Sequence, residues 1–186
     1  MRCFIAITLP DIVRKQLGEL QSILKKYDAD INWTRPEGIH LTLKFLGEVP
    51  EDKIGTIKSV LQEVCSNKNP FEVEIAGTGI FPDLHRPRVF WIGITQGIEQ
   101  ITELAERLDG KISEIGFPKE ERKYHPHLTL GRVRSPKNLG KLTNEFLQKM
   151  KPSLGKIQVD HISLYQSKLK PTGAEYINLF QSALIR

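Results

Sequence analysis

Two tetrapeptides in this 186-residue chain are identical: His40-Leu41-Thr42-Leu43 and His127-Leu128-Thr129-Leu130. Histidine occurs only five times in the chain, so an accidental repeat of this kind is improbable. Both runs read as strands, in which residues i and i+2 share a face. His40 and Thr42 are therefore expected to point one way and Leu41 and Leu43 the other, and the second run is expected to do the same. The leucines then anchor each strand in a core, and the His–Thr faces look into a shared cleft. Two imidazoles and two hydroxyls around one small volume suit cleavage of a phosphodiester. One imidazole, with an ordinary pKa of about 6.5, is neutral and activates a nucleophile; the other is charged and protonates the leaving oxygen. The threonine hydroxyls donate to the non-bridging oxygens, where charge builds up. Taken singly, a strand threonine is just a good β-former and a lone histidine is a structural residue. The paired units carry the reading.

Those strands need a frame, and the frame is itself written twice. Residues 2–8 are short, apolar and β-branched, as a buried strand is. Pro10 and Asp11 open a helix in which Ile12, Leu17, Leu20, Ile23 and Leu24 recur at helical spacing. Trp33 lies in a turn-rich lead-in to a strand over 40–46. A second helix begins near Pro50, and residues 71–80 form the next strand. From Arg88 the order repeats: strand 88–95, helix from Ile98 to the Gly116-Phe117-Pro118 stop, a charged loop 119–123, strand 127–133, helix 136–150 and strand 157–166. A last strand covers about 175–184. The interval from Phe4 to His40 matches that from Phe90 to His127 to within one position. This periodicity predicts an internal duplication, with two similar lobes about an approximate two-fold and a chain that is monomeric because it supplies its own symmetry.

Composition sets the outer bounds. Net charge is +5 and the sequence pI about 9.2, which favours an anionic partner without identifying one. Cys3 and Cys65 form neither a disulfide framework nor a zinc spacing, so a reducing, cytoplasmic setting is expected. The N-terminal apolar run is too short for a signal peptide, and no run reaches the roughly 20 residues of a membrane helix.

The two His-x-Thr-x units resemble those of the two-histidine (2H) phosphoesterase superfamily. Within it, the chain is similar to the RNA 2′,3′-cyclic phosphodiesterases, also called 2′-5′ RNA ligases. The likeness runs through Arg2-Cys3-Phe4-Ile5-Ala6-Ile7, both motifs with their flanks, Arg86-Pro87-Arg88-Val89-Phe90-Trp91, Leu164-Tyr165-Gln166-Ser167 and Gly173-Ala174-Glu175-Tyr176. It implies an α+β fold of two intertwined lobes forming one domain over 1–186, with antiparallel sheets lining a cleft. It implies hydrolysis of a terminal 2′,3′-cyclic phosphate to a 2′-phosphate on RNA, tRNA fragments among the substrates, with no metal and no cofactor. By the same likeness His40 is the proton donor, His127 the proton acceptor, Thr42 and Thr129 hold the phosphate, and Arg132 contacts phosphate or RNA. The symmetry of the motifs leaves the reverse histidine assignment open.

Other candidates come from the residues themselves. Strict alternation from His127 places Arg132 on the leucine face; it reaches the cleft only if the strand twists or ends at Gly131. Lys44 shares a face with Thr42 by alternation, and either meets a phosphate or is a solvated strand-end lysine. Phe45 alternates with the leucines, so core packing is its default and base stacking its alternative. Trp33, in a turn, is the better stacking candidate. Arg86, Arg88, Arg134, Lys137 and Lys141 either attract an RNA backbone or are solvated charges. His125 precedes Pro126 and is expected to be structural, as is His161 beside Asp160; His85 carries no signal. A binding module without turnover, 2′-5′ joining and a small cyclic nucleotide substrate remain alternatives.

Overall fold

Short β-branched runs form the strands and amphipathic runs form the helices between them, in the order the periodicity predicts. The structure, a computed structural model, describes residues 1–171 and 173–186. The first half holds β1 (Arg2–Ile7), α1 (Asp11–Lys25), β2 (Ile31–Trp33), β3 (Leu41–Glu48), α2 (Ile54–Cys65) and β4 (Phe71–Phe81). The second holds β5 (Val89–Gln96), α3 (Ile98–Glu114), β6 (His127–Val133), α4 (Leu139–Asn144), β7 (Ser153–Val159), β8 (His161–Lys170) and β9 (Gly173–Ala183). The fold class is α+β with two antiparallel sheets, as expected, one ordered β3-β1-β8-β9 and the other β2-β6-β5-β4-β7.

The halves exchange strands. β1 lies between β3 and β8, so the first sheet is completed from the second half. β2 and β4 leave the first half to join β6 and β5. One apolar core runs through both sheets and the helices, from Ile5 and Leu41 to Ile92 and Leu128. On β1, Cys3, Ile5 and Ile7 enter that core, while Phe4 and Ala6 face the other way and pack with Tyr165.

Three elements depart from the periodicity. The expected strand 157–166 is two strands broken at Asp160: β7 stays beside β4, and β8 crosses to β1. The expected helix 136–150 is the short α4 followed by a single π turn, Glu145–Lys149, which buries Phe146 against Phe90. Trp33 is not in a turn; it pairs with Gly131 across β2 and β6, a partner remote in sequence.

Each motif strand also carries an extra residue at the same place, and β3 carries a second one at Leu46, since Phe4 pairs with Phe45 and Cys3 with Gly47. Across β1, Ile5 pairs with Lys44 and Ala6 with Thr42, so Leu43 is bulged. Across β5, Phe90 pairs with Gly131 and Trp91 with Thr129, so Leu130 is bulged. A bulge puts two residues opposite one and shifts all later side chains by one face.

Gly131 follows the second bulge in a tight place: an added Cβ would stand 2.6 Å from Ile31 Cγ2 and 3.0 Å from Trp33 Cε3. Gly131→Ala is expected to lower the free energy of unfolding in urea by about 1–3 kcal/mol through overpacking. An unchanged midpoint would mean that β2 moves aside without cost.

Candidate active site

His40 stands just before β3 and His127 opens β6, so the two motifs start at matched strand ends. Both histidines, with Thr42 and Thr129, line one cleft of about 1590 Å³. Each ring is held the same way. His40 Nδ1 lies 2.8 Å from the Gly38 carbonyl oxygen and His127 Nδ1 lies 2.7 Å from the His125 carbonyl oxygen. A carbonyl only accepts, so Nδ1 carries the hydrogen in the neutral ring and Nε2 is left with a free lone pair.

The surroundings are aromatic. His40 is 9% exposed and packs against Phe4, Tyr165 and Tyr176, with ring centroids 5.6, 4.7 and 5.2 Å away. Burial pushes its pKa from the usual 6.5 down to about 4, against the raising effect of the Gly38 bond and with a small further lowering from Arg14. His127 packs against Phe81 at 4.9 Å and Trp91 at 6.1 Å. Its pKa is lowered too, first by burial, then by the charges of His125 and Arg132, against the raising effect of its bond to the His125 carbonyl. Desolvation penalises the imidazolium at both positions.

The bulges decide where the secondary candidates point. Beyond Leu130 the faces are shifted, so Arg132 is exposed and lines the cleft, where strict alternation would have hidden it. Beyond Leu43 the same shift turns Phe45 out of the core; it is 65% exposed, lines the cleft and packs on Phe4. Lys44 is turned the opposite way. Its ammonium is buried, 2.5 Å from Asp109 Oδ1 on α3 and 2.7 Å from the Pro118 carbonyl oxygen, so it is not solvated, although the residue still lines the cleft. Trp33 packs half-buried against the core and is not among the cleft residues, which removes it as the stacking candidate.

Of the outlying cations, Arg88 lines the cleft; Lys137 pairs with Asp28, and Arg134 bonds to Asn32. His161 pairs with Asp160, and the His85 amide donates to Asp83. His125 is more than structural: its carbonyl orients His127, and its side chain lines the cleft against Trp91. Among the described residues, no three His, Cys, Asp or Glu side chains are gathered as metal ligands.

Sequence reasoning missed the aromatic walls. β1 is apolar on both faces, so alternation does not single out Phe4, and Tyr165, Tyr176 and Phe81 reach the histidines through pairings between strands. It also missed Gln21. This side chain is 1% exposed on α1, and its amide donates to the Leu130 carbonyl at 2.9 Å and the Thr34 carbonyl at 2.6 Å.

The fold has counterparts in known proteins. The model of the 2′-5′ RNA ligase superfamily matches residues 9–171. The chain belongs to this family. A relative from Methanothermobacter thermautotrophicus, named RNA 2′,3′-cyclic phosphodiesterase, is 36% identical over 96% of each chain. One of the same name from Thermotoga maritima is 37% identical over 100% of this chain and 99% of its own. Among solved structures, TT0787 of Thermus thermophilus superposes with a TM-score of 0.84 at 29% identity, covering 99% of this chain and 98% of that one. E. coli LigT complexed with 3′-AMP superposes with a TM-score of 0.81 at 26% identity over 100% and 98%. The expected family and fold both hold, and the relatives that span the chain carry the names of enzymes. No helix of this 2′-5′ RNA ligase family member is long and apolar enough to cross a membrane, among the described residues.

The depressed His40 pKa has a consequence for stability. The unfolded chain binds a proton below about pH 6.5 and the folded His40 only near 4, so acid favours unfolding between those values. The stabilisation is present above pH 6.5 and lost on the way down to pH 4, and is worth about 3 kcal/mol. Urea melts across this range are expected to show that decline in the wild type and a shallower one in His40→Asn. Parallel slopes would contradict it.

Proposed function

We propose that this protein hydrolyses 2′,3′-cyclic phosphate ends of RNA to 2′-phosphates, with His40 and His127 as a metal-independent acid–base pair. The observation that carries the reading is the matched tethering of the two rings, Nδ1 on a main-chain carbonyl and Nε2 free, on one cleft. The names of the relatives supply the substrate class.

His127 Nε2 takes a proton from water as the water oxygen bonds to phosphorus. The bond from phosphorus to the 3′ oxygen breaks, and that oxygen leaves with the proton from His40 Nε2. Thr42, Thr129 and Arg132 meet the non-bridging oxygens, where a guanidinium and hydroxyls stabilise developing charge. The desolvated cleft holds both imidazoles neutral when empty; a phosphate anion against them favours the charged form of one. Replacing water by a 5′-hydroxyl in the same step joins two RNA ends through a 2′-5′ linkage.

The cleft suits the end of a polynucleotide. At about 1590 Å³ it exceeds the ~300–1,000 Å³ of ordinary small-ligand pockets. Phe45 offers an exposed ring for base stacking, and Arg88, Arg122 and Lys123 line the walls near the phosphate backbone's path. Residues 1–186 act as one catalytic unit, a monomer. The buried free thiols Cys3 and Cys65 suit the cytoplasm.

The reverse assignment has one observation in its favour: the pKa of His40 in the empty cleft, about 4, suits a base. A leaving-group experiment separates the two. Sulfur in place of the 3′ oxygen leaves without a proton, so it is expected to restore turnover to His40→Ala and not to His127→Ala. The opposite rescue would exchange the roles.

The reading itself is tested with a short RNA ending in a 2′,3′-cyclic phosphate, in excess EDTA, with the wild type and both alanine variants. Conversion to 2′-phosphate by the wild type alone is expected, with a bell-shaped pH–rate profile. Intact cyclic phosphate in every tube would overturn it.

A further inference from the structure

A bulge leaves backbone groups without ladder partners, and buried ones need a donor from elsewhere. At the second motif two donors come from the first half: the Thr34 amide donates to the carbonyl of Leu130, the bulged residue itself, at 2.9 Å, and Gln21 Nε2 on α1 adds a second bond to that carbonyl at 2.9 Å. At the first motif it comes from the second half: the Tyr124 hydroxyl donates to the carbonyl of Thr42, next to the bulged Leu43, at 3.0 Å. Burial raises the Tyr124 pKa, so the phenol stays protonated and can only donate here.

The Tyr124 bond is one of two pins on a single segment. Residues 118–124 lead from α3 to His125 and His127. At the start of this segment Lys44 of β3 grips the Pro118 carbonyl, and its partner Asp109 accepts from the Glu120 amide at 3.1 Å. At its end Tyr124 grips β3 again, beside Thr42. The approach to His127 is therefore fastened at both ends to the strand that follows His40.

We infer that Gln21 and Tyr124 are positioning residues, reciprocal clamps by which each half fixes the bulge, and with it the His–Thr face, of the other half's motif. Lys44 and Asp109 complete the fastening of the 118–124 segment. None of these side chains needs to touch the reacting atoms. Their effect is on the separation and aim of two acid–base groups, and a misplacement of about 1 Å in such a pair costs on the order of 100-fold in rate. The inference rests on the catalytic reading above. It also assigns Lys44 to positioning rather than to phosphate.

The test uses Tyr124→Phe and Gln21→Met, which keep shape and remove only the donors. Steady-state kinetics on the cyclic-phosphate RNA are run where circular dichroism shows each variant folded. Backbone amide exchange is followed in parallel for residues 40–46 and 127–133. Each variant is expected to lose tenfold or more in kcat with KM within twofold, and to exchange faster in the motif strand that its clamp holds. Lys44→Met is expected to follow the same split, whereas a phosphate ligand would raise KM. Wild-type kcat in both clamp variants, or a loss confined to KM, would overturn the inference. A wild type without turnover would overturn the catalytic reading instead; the clamps would then stand or fall on amide exchange alone.

Discussion

A buried imidazole keeps one tautomer only when a fixed acceptor holds one of its nitrogens. Both histidines of this cleft are held by the carbonyl two residues earlier in the chain, Gly38 for one and His125 for the other. The bond is local, so it forms wherever the approach to the strand is extended, and Pro126 helps to enforce that at the second site. The crossed sheets bring two such rings to one cleft, each against aromatic side chains. Desolvation depresses both pKa values, and the stability of the folded chain is coupled to that depression.

The repeated scaffold is symmetric, but what it presents is not. The two bulges place Phe45 and Arg132 at equivalent positions, a ring on one side of the cleft and a guanidinium on the other. Gly38 and His125 are likewise equivalent. A Cβ at Gly38 would lie 2.9 Å from the Tyr176 ring, so that lobe keeps a tyrosine against its histidine where the other keeps an imidazole. Tyr165 and Phe81 approach His40 and His127 at similar distances, 4.7 and 4.9 Å, yet only the tyrosine has a hydroxyl, bonded to Thr8. The matched motifs thus stand at similar distances from their aromatic neighbours, in chemically different surroundings.

Much of this was legible in the chain. Helical spacing predicts α1 from Asp11 and the amphipathic α3, and the duplicated tetrapeptides predict two motif strands that open on one cleft. The bulges were not legible, because a strand's register depends on its partner as well as on its own alternation. For that reason alternation favours the core for Phe45, which is exposed on the cleft, and leaves Lys44 either on a phosphate or solvated, whereas its ammonium is buried against Asp109. Arg132 was conditional on a twist or an end of the strand at Gly131; β6 instead runs on to Val133, and the bulge at Leu130 is what turns Arg132 into the cleft. Trp33 failed as a base-stacking candidate for a different reason: its partner strand, β6, is remote in sequence. Gln21 could not be found by pattern, since a polar residue on the buried side of a helix signals a bond without saying to what.

The proposed acid–base pair depends on the state of four ring nitrogens, and nitrogen-15 NMR of the two histidines reads them directly. In the free protein near neutral pH, both rings are predicted to be neutral with the hydrogen on Nδ1. Adding a nucleoside 2′-phosphate is predicted to bring a proton onto Nε2 of one of them. A hydrogen on Nε2 of either neutral ring in the free protein, with Nδ1 bare, would contradict the tethering on which the acid–base pair depends.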